Sequence, residues 1–226
     1  MTCADVDDAP ALQKAIDAAT EQGRALLLPA GHYRINSTLT ILSSARTHFA
    51  NPGPGYAKAP LRLIGEGYEL TRISAAVTMH AILNYSSNNS QLYGAACPTP
   101  TENQYISDLS LDAGGLANYS LFAPGIARSR FQRVDFSGAR AVGASIGYGW
   151  CNYFEQCRWA GNGVGLHTYN SANNIDVVDS IFEGNTGVGI YCSGGAQYNI
   201  IGNVLEGNGG PGIILFGTVG TMIQSK

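Results

Sequence analysis

Phe131-Gln-Arg-Val-Asp-Phe136-Ser-Gly138, Phe154-Glu-Gln-Cys-Arg-Trp159-Ala-Gly161, Val177-Val-Asp-Ser-Ile-Phe182-Glu-Gly184 and Ile200-Ile-Gly-Asn-Val-Leu205-Glu-Gly207 are one block written four times. The glycines recur at a step of about 23 residues, and Asn162, Asn185 and Asn208 follow the last three. A large apolar residue at a fixed place in a fixed period means near-identical coils stacked on one another. Successive coils of a parallel stack lie ~4.8 Å apart, so like residues pile on like. The inward columns are then Phe131/Phe154/Val177/Ile200, Val134/Cys157/Ser180/Asn203 and Phe136/Trp159/Phe182/Leu205. Each Gly-Asn pair suits a bend, where left-handed backbone is tolerated. Asn side chains in register can then hydrogen-bond along their column. A second strand per coil follows, at Val142-Gly-Ala144, Val164-Gly-Leu166, Val188-Gly-Ile190 and Pro211-Gly-Ile213.

Upstream, Asp8-Ala-Pro-Ala-Leu12-Gln-Lys-Ala-Ile16-Asp-Ala-Ala19 reads as an amphipathic helix ended by Gly23. Asp8 is the expected N-cap, Pro10 fits the first turn, and Leu12, Ile16 and Ala19 share a face. Short strands are expected at 25–28, 33–35, 39–41, 61–64, 72–74 and 105–112. Residues 43–60 and 86–104 are Pro-bearing excursions. The expected fold is all-β: a right-handed single-stranded parallel β-helix with an N-terminal capping α-helix. One domain over 1–226 is expected, with a cap helix in 1–24, irregular coils in 25–129 and regular coils in 130–226.

The 226 residues carry a net charge of −3 and 29 glycines, with lysine at 14, 58 and 226 alone. No basic stripe forms, which argues against nucleic-acid binding. No apolar run approaches the ~18–20 residues of a membrane span. The segment after Met1 lacks the character of a signal peptide, so one is absent or was removed before this numbering began. Acceptor triplets at Asn36, Asn84, Asn88 and Asn118 favour a secreted or extracytoplasmic protein. Cys3, Cys97, Cys151, Cys157 and Cys192 match no metal template. One or two disulfides are expected if the protein is secreted.

Asp7-Asp8, Leu12-Gln-Lys-Ala-Ile16-Asp, Gly23 and Leu28-Pro-Ala-Gly31-His-Tyr33, together with the repeating Phe-x-Gly-Asn and Gly-Ile coils, resemble the pectate-lyase-like superfamily of right-handed parallel β-helices. That group's usual N-terminal reading is Asp-Asp-Thr, Ile-Gln, Ala-Ile-Asp and Leu-Pro-Ala-Gly-x-Tyr. The resemblance implies fold, and a carbohydrate-active protein acting on an acidic polysaccharide by β-elimination or hydrolysis. The alternative is a non-catalytic glycan-binding or structural β-helix module of a larger assembly. The Gly-His-Gly, Arg-Ile-Lys and Asp-Pro-His-Asp strings of the superfamily's hydrolases and epimerases are missing here.

Candidate chemistry therefore rests on register. His167, Tyr169 and Tyr191 fall on one exterior patch, where a His and a Tyr are suited to act as base and acid beside a carboxylate. The plainer reading is that they cover the sheet. Candidate substrate-binding residues are Trp150 and Tyr153, in a connection beside His167, with Asp176 and Arg158 in the outward columns Arg130/Tyr153/Asp176/Asn199 and Asp135/Arg158/Ile181. Asp135 and Arg158 also read as a cross-strand ion pair. Glu183 and Glu206 stack as like charges, either solvated or holding a cation such as Ca²⁺. No other cofactor is expected. His32 and His80 read as lying in or near turns and His48 in an excursion loop. The next copy of Asn199-Ile200 falls at Met222-Ile223, close to Lys226. An uncovered strand edge templates association, so a longer chain, a protein partner or a second protomer is expected at that end.

Overall fold

A computed structural model describes residues 7–42, 58–86, 101–170 and 172–224. Its architecture is a right-handed parallel β-solenoid with one N-terminal helix. A 15-stranded sheet and a 7-stranded sheet face each other across the core.

The helix spans Ala9–Gln22 and buries Leu12, Ile16 and Ala19. Gly23 ends it in left-handed backbone at φ 67°. Asp8 occupies the N-cap position but makes no side-chain cap bond. Its Oδ2 instead accepts the Arg34 N–H at 2.8 Å. Asp7 Oδ1 accepts the Ala9 and Asn36 N–H groups at 3.0 and 2.9 Å. The acidic pair thus ties the helix to the first coil, where the sequence suggests a simple cap.

The inward columns form as expected. Phe131 pairs with Phe154, Phe154 with Val177 and Val177 with Ile200. Phe136 pairs with Trp159, Trp159 with Phe182 and Phe182 with Leu205. Phe131 and Phe154 stack at 4.7 Å, and Phe136 and Trp159 at 5.2 Å. Each buried aromatic removes enough surface from water to contribute ~1.5–3 kcal/mol, with a further increment from ring geometry.

The asparagines form the expected ladder. Asn185 Oδ1 accepts both the backbone N–H and Nδ2 of Asn162 at 3.0 Å. Asn208 Oδ1 accepts the same two groups of Asn185 at 3.2 and 2.8 Å. Each Nδ2 also donates inward, to the carbonyls of Phe136, Trp159 and Phe182. Backbone groups that the bend strips from the sheet are thereby satisfied.

Each regular coil has a further bend, inside the strand Arg130–Ser137 in the first and between two strands in the next two. Arg133, Gln156 and Asp179 adopt φ near 50° there. A full row of left-handed glycines would have announced this bend, but only the fourth coil has one, Gly202 at φ 68°, and ordinary residues make it in the other three. Trp150–Glu155 is a strand of the large sheet rather than a connection. His32 and His80 are the second residues of the strands Gly31–Ile35 and Met79–Ser86, each just after a bend.

The columns also extend toward the N-terminus. Arg62 pairs with Tyr105, and Tyr105 with Arg130, so the irregular coils keep the same register and carry insertions. Residues 43–57 and 87–100, the greater part of the two excursions, lie outside the described residues, as do His48, Cys3 and Cys97. Cys151, Cys157 and Cys192 are free thiols. Met222 and Ile223 pair with Asn199 and Ile200 as the period requires, with both side chains half exposed.

Candidate functional site

Two outward columns run side by side on the large sheet, beyond the Arg133 bend. One carries Arg72, Ser110, Asp135, Arg158 and Ile181 in successive register. The other carries Ser74, Asp112, Ser137, Ala160, Glu183 and Glu206. Small residues at Ser137, Ala160 and the bend glycines keep the floor low between them. The result is a groove of 1310 Å³ along the coil stack, with Tyr68 and Glu69 among its lining residues.

A charged network occupies the floor. Arg158 Nη1 donates to Asp135 Oδ1 at 3.2 Å, and its Nε donates to Glu183 Oε1 at 2.6 Å. Asp135 Oδ2 also accepts the hydroxyls of Ser137 at 3.1 Å and Ser110 at 3.3 Å. Arg72 pairs with Asp112. Asp135 is 7% exposed. Burial pushes its carboxyl above the usual carboxylate range, and Arg158 and the two serines offset this only in part. Burial pulls the Arg158 guanidinium down, but Glu183 and Asp135 more than offset it and leave it raised. Arg158 is therefore held as a cation between the two carboxyl groups.

Glu183 and Glu206 are register neighbours as expected. Among the described residues no three of His, Cys, Asp and Glu gather closely enough to hold a metal ion.

His167, Tyr169 and Tyr191 come together, on the outer face of the smaller sheet. His167 and Tyr191 are stacked at 4.9 Å with planes 6° apart, and Tyr169 is 5.4 Å from His167. Half-burial lowers the His167 pKa. Burial likewise raises that of Tyr169, partly offset by Ser145. His167 Nε2 lies 3.2 Å from Ser193 Oγ. The stacking has a consequence: where the two rings face each other, a pyranose cannot lie on them.

The expected substrate-binding residues do not join this patch. Arg158 lies in the groove. Trp150, Tyr153 and Asp176 lie on the first half of the large sheet, before the bend. There the Arg130 guanidinium sits 5.0 Å from the Tyr153 ring centroid, and Asn199 Nδ2 donates to Asp176 Oδ1. The seven candidates are thus spread over three faces. The groove's other residues, Asp112, Asp135, Tyr68 and Glu69, were passed over as sites. Only the recurrence of acidic residues at the seventh place of the block, Asp112, Glu183 and Glu206, hinted at the groove.

No curated protein sequence matches the chain. Several solved structures match its fold. A Geobacillus virus E2 protein, ORF18, superposes with a TM-score of 0.76 at 18% identity, over 97% of this chain and 44% of that one. The A-module of the Azotobacter vinelandii mannuronan C-5 epimerase AlgE4 superposes at 0.55 and 15% identity, over 97% of this chain and 72% of the module. The catalytic domain of a GH87 α-1,3-glucanase, solved with tetrasaccharides, superposes at 0.53 and 13% identity, over 88% and 37%. The chain thus spans less than half the length of the viral protein and of the glucanase domain. At these identities the likeness is one of fold. The profile of the right-handed β-helix region matches residues 101–225, and with the parallel coils observed across that region the chain belongs to the right-handed β-helix family.

Proposed function

We propose that the chain is a carbohydrate-active β-helix protein that binds a polysaccharide along the Asp112–Glu206 groove and hydrolyses it by carboxylate acid–base chemistry. The observation that carries this reading is Asp135. It is a buried carboxyl in the floor of an open groove, with its pKa raised by burial and a second carboxylate, Glu183, held by the same guanidinium. Glycoside hydrolysis uses two carboxyl groups, one raised in pKa to protonate the leaving oxygen and one to activate water or attack carbon. Asp135 fits the first role and Glu183 the second. Arg158 orients both. Tyr68, 40% exposed at the groove's edge, adds an aromatic side chain for a sugar to meet. Fold neighbours whose names state epimerase and glucanase activity support a carbohydrate ligand.

The test is turnover of a polysaccharide panel, read by reducing ends, with wild type and Asp135→Asn. The isosteric amide keeps shape and binding but cannot supply the proton, so hydrolysis is expected to fall by at least about a hundredfold with affinity retained. Full activity in Asp135→Asn removes the assignment.

A second reading, non-catalytic glycan binding, is favoured by one observation: Asp135 already has three polar partners. It requires wild-type binding without turnover. Elimination at the His167 patch requires products with ultraviolet absorbance that vanish in His167→Ala.

A further inference from the structure

The charge balance of the groove defines its ligand more closely. Five carboxyl side chains line it, from Glu69, Asp112, Asp135, Glu183 and Glu206, against the guanidinium groups of Arg72 and Arg158. Both cations are already committed: Arg72 to Asp112, and Arg158 to Asp135 and Glu183. In the adjoining 260 Å³ pocket beyond Tyr68, Arg133 is likewise held by Asp108, at 2.5 Å.

A chain of uronic or sulfated sugars lying in this groove would bring further negative charges against these carboxyl groups, of which Glu183 and Glu206 are one coil repeat of ~4.8 Å apart. Like charges repel along the groove, and its walls focus the field. An acidic ligand could gain a cation only by taking Arg72 from Asp112 or Arg158 from Asp135. That would leave a buried carboxylate without its counter-ion, a strongly unfavourable exchange.

We infer that the groove takes a glycan free of carboxylate and sulfate groups, a neutral chain above all. This rests on the groove being the polysaccharide site. It is the opposite of the acidic substrate that resemblance to the pectate-lyase-like superfamily implies. Hydroxyl-rich sugars suit such a surface, since carboxylates accept hydrogen bonds from vicinal hydroxyls without a change in net charge.

The experiment compares each of several polyuronates with its own carboxyl-reduced, uncharged counterpart, beside a panel of neutral glucans, by calorimetry on the whole chain. Ala160→Trp serves as the groove-blocking control. The expected result is binding confined to uncharged chains, or at least about tenfold tighter for the reduced member of a pair at low salt, with the gap narrowing as salt is raised. Ala160→Trp is expected to abolish that binding, and Glu183→Gln with Glu206→Gln to narrow the gap. Tighter binding of an acidic chain, lost in Ala160→Trp, overturns the inference while leaving the groove as the site. Binding that survives Ala160→Trp, or no binding by any glycan, overturns the groove reading and the inference with it.

Discussion

Trp159 and Phe182 lie ring on ring, their centroids 4.3 Å apart and their planes 4° from parallel. Phe136 continues the pile on the other side of Trp159. The indole is fully buried, and its Nε1–H has no acceptor. Two substitutions separate packing from polarity. Trp159→Ala opens a cavity between coils and is expected to destabilise the fold by ~3–5 kcal/mol. Trp159→Phe keeps a ring in the column and removes the orphaned donor, so its cost is expected to stay below ~2 kcal/mol. Urea denaturation followed by circular dichroism checks both. Equal losses would show that the column does not act as a stack.

Asp135 makes stability depend on pH in a defined direction. Its folded pKa is raised by burial above the value in an unfolded chain, about 3.9. Between those two values the folded state binds more protons, so stability falls as pH rises through the window. Asp135→Asn is expected to flatten that slope. Arg158→Met removes the charge that holds the carboxyl down, and is expected to steepen the slope and extend it to higher pH. Denaturation midpoints measured from about pH 4 to 7 check this. A rise of stability with pH that disappears in Asp135→Asn would contradict it.

Two glycines serve different ends. Gly184 sits at φ 59° with nothing within 4 Å of an added Cβ, so Gly184→Ala is expected to cost ~1–2 kcal/mol from backbone strain alone. At Gly165 a Cβ would lie 2.4 Å from the Gly189 carbonyl oxygen and 2.9 Å from the Phe182 ring. Gly165→Ala is expected to cost ~3 kcal/mol or more, because two coils must separate to admit a methyl group. Thermal unfolding of the two variants side by side gives the order, and the reverse order refutes it.

The thiols differ in access and acidity. Burial pushes Cys157 up to about 12 and Cys192 up to about 11, whereas Cys151 is exposed. A thiol reagent at mildly alkaline pH is expected to modify Cys151 in the native protein and to reach Cys157 and Cys192 only on unfolding. Peptide mapping by mass spectrometry after timed labelling reads each site. Native labelling of Cys157 at the rate of Cys151 would contradict the packing of that column.

The coil register was legible because a period of fixed length with Phe136, Trp159 and Phe182 in one place has one efficient way to bury them. Pairings such as Asp135 with Arg158, or His167 with Tyr191, then follow by counting. The bend at Arg133, Gln156 and Asp179 was hard to read, because only the last coil marks it with a glycine, Gly202, while the other three place ordinary residues there. That bend set the error in grouping the site. It turns Tyr153 and Asp176 onto one face and Arg158 onto another, although few residues separate them along the coil.

The residue order alone determined the solenoid, its inward columns and the asparagine ladder, since each depends on repetition, and repetition is a property of a string. Which exterior columns share a concave face depended on the angle between consecutive strands, and the acidity of Asp135 depended on how deeply neighbouring coils enclose it. Those are relations among residues about 25 to 50 positions apart, set by bend geometry and burial, and only the folded coil stack decided them.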